Sequence, residues 1–153
     1  MINKNQLTER SFTPSQLSGF DGAHSIQLPV DFIHDLSKAD SLQAVLDTIA
    51  YWISHVFDAD RASITLQDTE EYLKLYSISG NHAIPMDFKI PIGQTFVGRV
   101  FACAKLIICD DLAQSDELDC KMLSEHGMGT CMDAPMIHNG VCIGTLNVAD
   151  QRK

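Results

Sequence analysis

The sequence predicts an α+β domain, an antiparallel sheet with helices on both of its faces. Three observations carry that prediction. Two pairs of β-type runs are joined by short polar turns, which places neighbouring strands antiparallel. One long stretch repeats apolar residues at helical spacing, and two shorter helical stretches interrupt the strands. The 153 residues, 45% apolar and 20% charged, suit one globular domain with its own core.

Residues 1–36 are polar, include Pro14 and Gly19 and sustain no period, so they are expected as a leader or linker with at most a short helical piece. The domain proper is expected over 37–153. Leu42, Val45, Leu46, Ile49, Ile53, Val56 and Phe57 fall on one helical face, with Asp40 and Gln43 as the expected capping pair. The run from Ala62 to Gln67 alternates apolar and polar residues, the pattern of a half-buried strand. A polar turn over 68–71 leads to a second strand, Tyr72 to Ser79, ended by Gly80. A short strand follows at 88–91, then a short helix within 93–102, where Gly98 permits close approach to a neighbour. Leu106 to Cys109 is a strand running into Asp110 and Asp111. Ser115 or Asp116 caps a helix carrying Leu118, Met122 and Leu123, which Gly127 and Gly129 terminate. The last two runs, Gly129 to Ile137 and Val141 to Ala149, flank Asn139-Gly140, a pair that tolerates the positive φ angles of a type I′ hairpin turn.

Eleven basic against twenty acidic side chains give a formal charge of −9. Nucleic-acid binding is excluded on that ground, since it needs clustered Lys and Arg to displace counterions from phosphates. No apolar stretch reaches the length that spans a bilayer, and the N-terminus lacks the apolar core of a secretory signal. A cytoplasmic location without direct membrane contact is expected. Cys103, Cys109, Cys120, Cys131 and Cys142 are odd in number and fit no zinc or disulfide spacing, so they are expected as small buried apolar residues. No metal site is expected. His24, His34, His55, His82 and His138 share no ligand spacing, and His126 is read as a partner of a helix C-terminus.

Three segments in this order resemble the GAF domain, a small-molecule-sensing and dimerising module of signalling proteins. They are Gly93-Gln94-Thr95-Phe96-Val97-Gly98-Arg99-Val100-Phe101, Leu106-Ile107-Ile108-Cys109-Asp110-Asp111, and the closing hairpin from Ala134 to Val148. The resemblance implies about six antiparallel strands, dimer-supporting helices on one face and a ligand pocket under short helices on the other. Members of the family usually end in a further helix; nothing follows Arg152-Lys153, so a piece of a longer regulator is expected. The cyclic-nucleotide members carry Asn-Lys after the last strand, where this chain has Asp150-Gln151, and the bilin members carry a Cys-His pair that this chain lacks. Free methionine-R-sulfoxide reductases of this family use cysteine nucleophiles and two carboxylates on the closing strand. Here that strand has Asn147 and Ala149, and Ser124 stands at the nucleophile position.

The resemblance therefore implies a regulatory module without catalysis of its own, no identified cofactor, and an unidentified small-molecule ligand. The reductase, or a purely structural dimerisation module with a collapsed pocket, are the alternatives. The pocket candidates are Thr95, Phe96, Asp110, Asp111, Thr130 and Met132. A homodimer through the helix from Asp40 to Phe57 is expected, with Trp52 as a contact, together with an output domain of a longer parent. Asp110 and Asp111 are either a solvated strand end or acceptors for a ligand amine or for the helix beginning near Thr95. Asp133 is the odd residue, a carboxylate in an otherwise apolar run: facing inward it needs a partner, facing outward it is surface.

Overall fold

The computed structural model describes residues 9–18 and 27–152. Among them, strands β1 (Glu9–Phe12), β2 (Arg61–Gln67), β3 (Tyr72–Gly80), β4 (Lys89–Pro91), β5 (Leu106–Cys109), β6 (Thr130–His138) and β7 (Val141–Asp150) form one antiparallel sheet. Its order is β1-β5-β6-β7-β2-β3-β4, so the last strand in the chain lies in the middle of the sheet. The helices are α1 (Pro14–Ser18), α2 (Val30–Lys38), α3 (Leu42–Val56), α4 (Phe96–Cys103) and α5 (Leu118–Glu125).

The α+β architecture with helices on both faces is as expected. On one face, Leu46 and Ala50 of α3 pack on Ile64 with Leu66, Tyr76, Met136 and Leu146 around them. On the other, Phe96, Val97 and Val100 of α4 and Cys120 and Leu123 of α5 meet Leu75, Ile107, Cys109, Cys131 and Ala149. Phe96 is 1% exposed, a burial that stabilises by about 2–3 kcal/mol.

Local chemistry accounts for the joints. The hairpin turn has φ of 50° at Asn139 and 77° at Gly140. Gly98 is required: a Cβ there would lie 2.2 Å from the carbonyl oxygen of Ile92, in a 3₁₀ turn (Ile92–Gln94) leading into α4. Ser41, not Asp40, caps α3 by accepting from the Ala44 amide at 3.1 Å. Gln43 donates instead to Asp47, one turn ahead, and to the backbone carbonyl of Tyr76. The residue before α5 is Glu117, whose side chain makes no cap; Ser115 Oγ accepts from the Glu117 amide at 3.3 Å.

Two expectations are corrected. The strand β2 is not half-buried: Arg61, Ser63 and Thr65 are 3%, 4% and 1% exposed, because α4 and α5 cover their face of the sheet as α3 covers the other. The stretch expected as a leader supplies an edge strand, with Glu9 to Phe12 pairing Cys109 to Leu106. Glu9 is held from outside the strand by Arg99 of α4 at 2.8 Å. Likewise α2 starts at Val30 and runs through the expected boundary at residue 36. Neither element buries a full apolar stripe, Phe32 being the buried residue of α2, so neither left a period in the sequence.

Candidate functional site

Strand register places one polar row across the middle of the sheet. Asp133 of β6 stands opposite Asn147 of β7, and Asn147 stands opposite Ser63 of β2. Two residues along, Cys131, Ala149 and Arg61 form the next row, and on the other side Thr145 faces Thr65. Side chains two apart on a strand share a face, so these groups all point toward α4 and α5. There they line a cavity of about 30 Å³, walled further by Ile84, Ile90, Val97, Asp119 and Leu123.

Most polar groups of the row are satisfied from within. The Thr65 and Thr145 hydroxyls bond each other at 2.6 Å. Asp119, 3% exposed at the start of α5, accepts from the backbone N–H groups of Phe96 at 2.8 Å, Val97 at 3.0 Å and Cys120 at 3.0 Å. The first amides of α4 are thereby closed by a carboxylate, which the positive end of the helix favours. Arg61 donates to the carbonyl oxygens of Asn81 and Ile84. Burial lowers its pKa to about 10, with Asp133 opposing the fall.

Two acceptors stand apart. Asp133 is 5% exposed, and its carboxylate has no hydrogen bond and no ion pair within 4.0 Å among the described residues. Burial, then the negative charge of Asp119, push its carboxyl well above the usual range, while Arg61 pulls it down. Asn147 donates through Nδ2 to Ser63 Oγ at 3.3 Å, but its Oδ1 is buried with no partner. Buried polar atoms are rarely left unpaired. The arrangement can hold a small hydrogen-bond donor.

The sequence-expected candidates lie elsewhere. Thr95 caps α4, accepting from Gly98 N at 3.1 Å and donating to Pro91 O at 2.7 Å. Phe96 is core beside it. Asp111 accepts from the Ala113 amide at 3.2 Å. Asp110 is paired with Arg10 at 2.7 Å, and it joins Thr130 and Met132 in an open depression of about 330 Å³ that also includes Phe57, beyond α3. Three of the six are thus brought together outside the buried cavity, in a depression that shares Cys131, Val148 and Ala149 with it, and the carboxylate that receives the α4 amides is Asp119 rather than Asp110 or Asp111. Trp52 is engaged within the chain, donating to Asp35 Oδ2 at 2.9 Å and packing on Phe32 of α2. Of the cavity residues, the sequence had marked Asp133. The period-two series Arg61-Ser63-Thr65 was a second signal, hidden because it reads as a solvent face.

The buried cysteines cluster. Cys109 and Cys131 are opposite each other on β5 and β6, and Cys120 of α5 packs in the same core. Hydrogen bonding among the three favours the thiolate at Cys109; that bonding, reinforced by burial, pushes Cys120 and Cys131 up. Cys103 is exposed and all five are free. His126 holds the Met122 carbonyl at the end of α5, at 2.8 Å. His24 lies outside the described residues. Among those described, no group of three or more His, Cys, Asp or Glu is arranged to hold a metal ion, and no helix is long and apolar enough to cross a membrane.

Solved structures share this architecture. The GAF domain of a phosphoenolpyruvate-protein phosphotransferase from Coxiella burnetii is similar with a TM-score of 0.69 at 18% identity, over 80% of this chain and 74% of that one. The corresponding Acinetobacter domain gives 0.67 at 15% identity, over 80% and 73%. A free methionine-R-sulfoxide reductase from Neisseria meningitidis, in complex with its substrate, gives 0.66 at 20% identity, over 79% and 70%. At such identities the likeness speaks for the fold. No curated protein matches the chain in sequence. The family model described as GAF domain matches residues 41–153. With the sheet order, the two helical layers and the pocket beneath α4 and α5, that match establishes that the chain belongs to the GAF domain family.

Proposed function

We propose that this GAF domain is a sensory or regulatory module of a cytoplasmic signal-transduction protein, without catalysis of its own. A small ligand enters the cavity under α4 and α5 and changes how the helices on the opposite face associate. The observation that carries this reading is Asn147 Oδ1, a buried acceptor without a partner, set beside the buried Asp133 carboxyl on a 30 Å³ cavity. A core serving only stability has no use for a buried acceptor without a partner. The same strands present both faces: Thr65 points to the cavity while Ile64 beside it packs on α3. A ligand that prefers one arrangement of those strands shifts the helices by its difference in affinity.

The partner in this reading is a second copy of the chain, meeting through α2 and the helix from Asp40 to Phe57, and the output lies in another domain of a longer parent. Support comes from Val30, Ile33, Leu42 and Tyr51, apolar residues of that layer that stay exposed. The test is a thermal-shift screen of small ions, amines, amino acids, nucleotides and tetrapyrroles, with sedimentation run with and without each hit. A hit raises the melting temperature by mass action. A panel without a single hit, or hits that Asp133→Asn leaves untouched, refutes the cavity as the sensing site.

The cysteine trio gives reductase chemistry a specific basis. A thiolate would take the oxygen of a sulfoxide as a sulfenic acid, and a second cysteine would resolve it to a disulfide and water, with a dithiol restoring both thiols. All three thiols are at most 5% exposed, so substrate must first part α5 from the sheet. Loss of free methionine sulfoxide under thiol recycling decides for this reading, and no loss decides against it.

A further inference from the structure

We propose that the cavity takes a short primary alkylammonium ion, of the size of methylammonium, held by Asp133 and Asn147. This rests on the reading of the cavity as a ligand site and adds the ligand's chemical class. Three features of the site select it: the number of free acceptors, the charge and the volume.

The free acceptors are the two carboxylate oxygens of Asp133 and Asn147 Oδ1, on residues directly opposite each other across β6 and β7. A primary ammonium group carries three donors and no acceptor. Of the other polar groups, Asp119 is filled by three backbone amides, Arg61 is turned to two backbone carbonyls, Thr65 bonds Thr145, and Ser63 Oγ accepts from Asn147 Nδ2.

The charge excludes the simple rivals. Two carboxylates, Asp119 and Asp133, share the cavity with one guanidinium, Arg61. An anion would face both carboxylates. Water brings donors but no charge, whereas a cation favours the ionised form of Asp133 beside Asp119. A bare cation such as Ca²⁺ wants six or more oxygen ligands, which three free acceptors do not supply.

Size sets the rest. One water needs roughly 10–15 Å³ of such space, and the cavity has about 30 Å³, enough for two heavy atoms. Ile84, Ile90, Val97 and Leu123 give the cavity an aliphatic side, which suits a methyl group rather than a second polar end. An amino acid does not fit without displacing α4.

The experiment is calorimetric titration and thermal shift of the full chain with methylammonium chloride, against tetramethylammonium chloride and sodium chloride at equal ionic strength. Methylammonium should bind saturably and raise the melting temperature; tetramethylammonium, which has no N–H, should not. Asp133→Asn should weaken binding by at least about tenfold, the usual consequence of losing a charge-assisted hydrogen bond. Asn147→Leu should weaken it as well, and it replaces Asp133→Asn if that variant does not fold. Cys103→Ser, at an exposed position away from the cavity, should bind as the parent does. Binding should also release a proton wherever the free Asp133 carboxyl is protonated, read as a dependence of the heat on buffer ionisation enthalpy. Equal effects of tetramethylammonium or sodium, or full binding by Asp133→Asn, overturn the proposal. If methylammonium fails while another compound binds in an Asp133-dependent way, the ligand class is wrong and the cavity remains the site. If nothing binds, both fall.

Discussion

Asp119 Oδ1 lies 2.8 Å from the backbone nitrogen of Phe96, so the start of α4 is closed by a side chain from α5, across 23 residues of chain. Both groups are buried, and the same carboxylate also receives Val97 and Cys120. The contact fixes how the two short helices sit over the cavity.

Asp119→Ala should therefore be among the most damaging single changes in the domain. It strips three buried amides of their acceptor, and losing a cap with a charged partner costs about 3 kcal/mol. Urea unfolding should show a lower midpoint with an unchanged slope. A loss under about 1 kcal/mol would mean that water replaces the carboxylate freely.

The pH dependence should follow Asp133. Burial holds its carboxyl well above the usual range, so the folded state binds this proton more tightly than the unfolded chain. The stability from this group is complete below the unfolded value of about 4 and is lost as pH rises through the folded pKa. Asp119, Glu117 and Cys109 keep the proton on, and Arg61 opposes them. Asp133→Asn removes the titration, so its stability relative to the parent should improve as pH rises from about 4 through the raised folded pKa. Denaturant midpoints measured from acid to alkaline pH check it, and a constant difference contradicts it.

Gly98→Ala should destabilise although alanine favours helix. The new Cβ would meet backbone atoms of Ile92 at 2.2–2.7 Å, and backbone cannot swing away as a side chain can. Overpacking should exceed the propensity gain and leave a net loss of about 2 kcal/mol in thermal unfolding.

Thr65 and Thr145 offer a double-mutant cycle. Their hydroxyls bond at 2.6 Å, and the two residues are 1% and 0% exposed. Thr145→Val should orphan Thr65 and cost about 1–3 kcal/mol. The double change to valine should cost less than the sum of the singles, because no hydroxyl is then left unpaired. Additive costs would show that the two do not interact.

Arg99→Ala should release β1 without unfolding the rest. Arg99 joins Glu9 of β1 and Glu117 next to α5, each at 2.8 Å. Amide exchange within the β1–β5 pairing should speed up by roughly tenfold or more, with the β2–β7 core unchanged. Uniform acceleration would argue that β1 is not a separate unit.

Elements set by local rules were legible from residues alone. The apolar stripe of α3, the Asn139-Gly140 turn and the need for a glycine at position 98 each depend on neighbours within a few positions, and each is present in the fold. The edge strand β1 was not legible, since four residues, two of them exposed and two half-buried, carry no pattern and their hold comes from Arg99, ninety positions away. Ser41 displaced Asp40 as the cap because both residue types serve and backbone geometry chose between them.

The sequence by itself determined the strand-and-helix order, the family and the oddness of Asp133, because periodicity, turn chemistry and motif spacing are local. Only the tertiary structure decided that Arg61, Asp119, Asp133 and Asn147 share one small cavity, and that Asp110, Thr130 and Met132 lie apart from it. The physical reason is register. Which side chains meet across β6, β7 and β2, and whether a polar row faces water or a second helical layer, depends on how distant strands align, and no short stretch of sequence encodes that alignment.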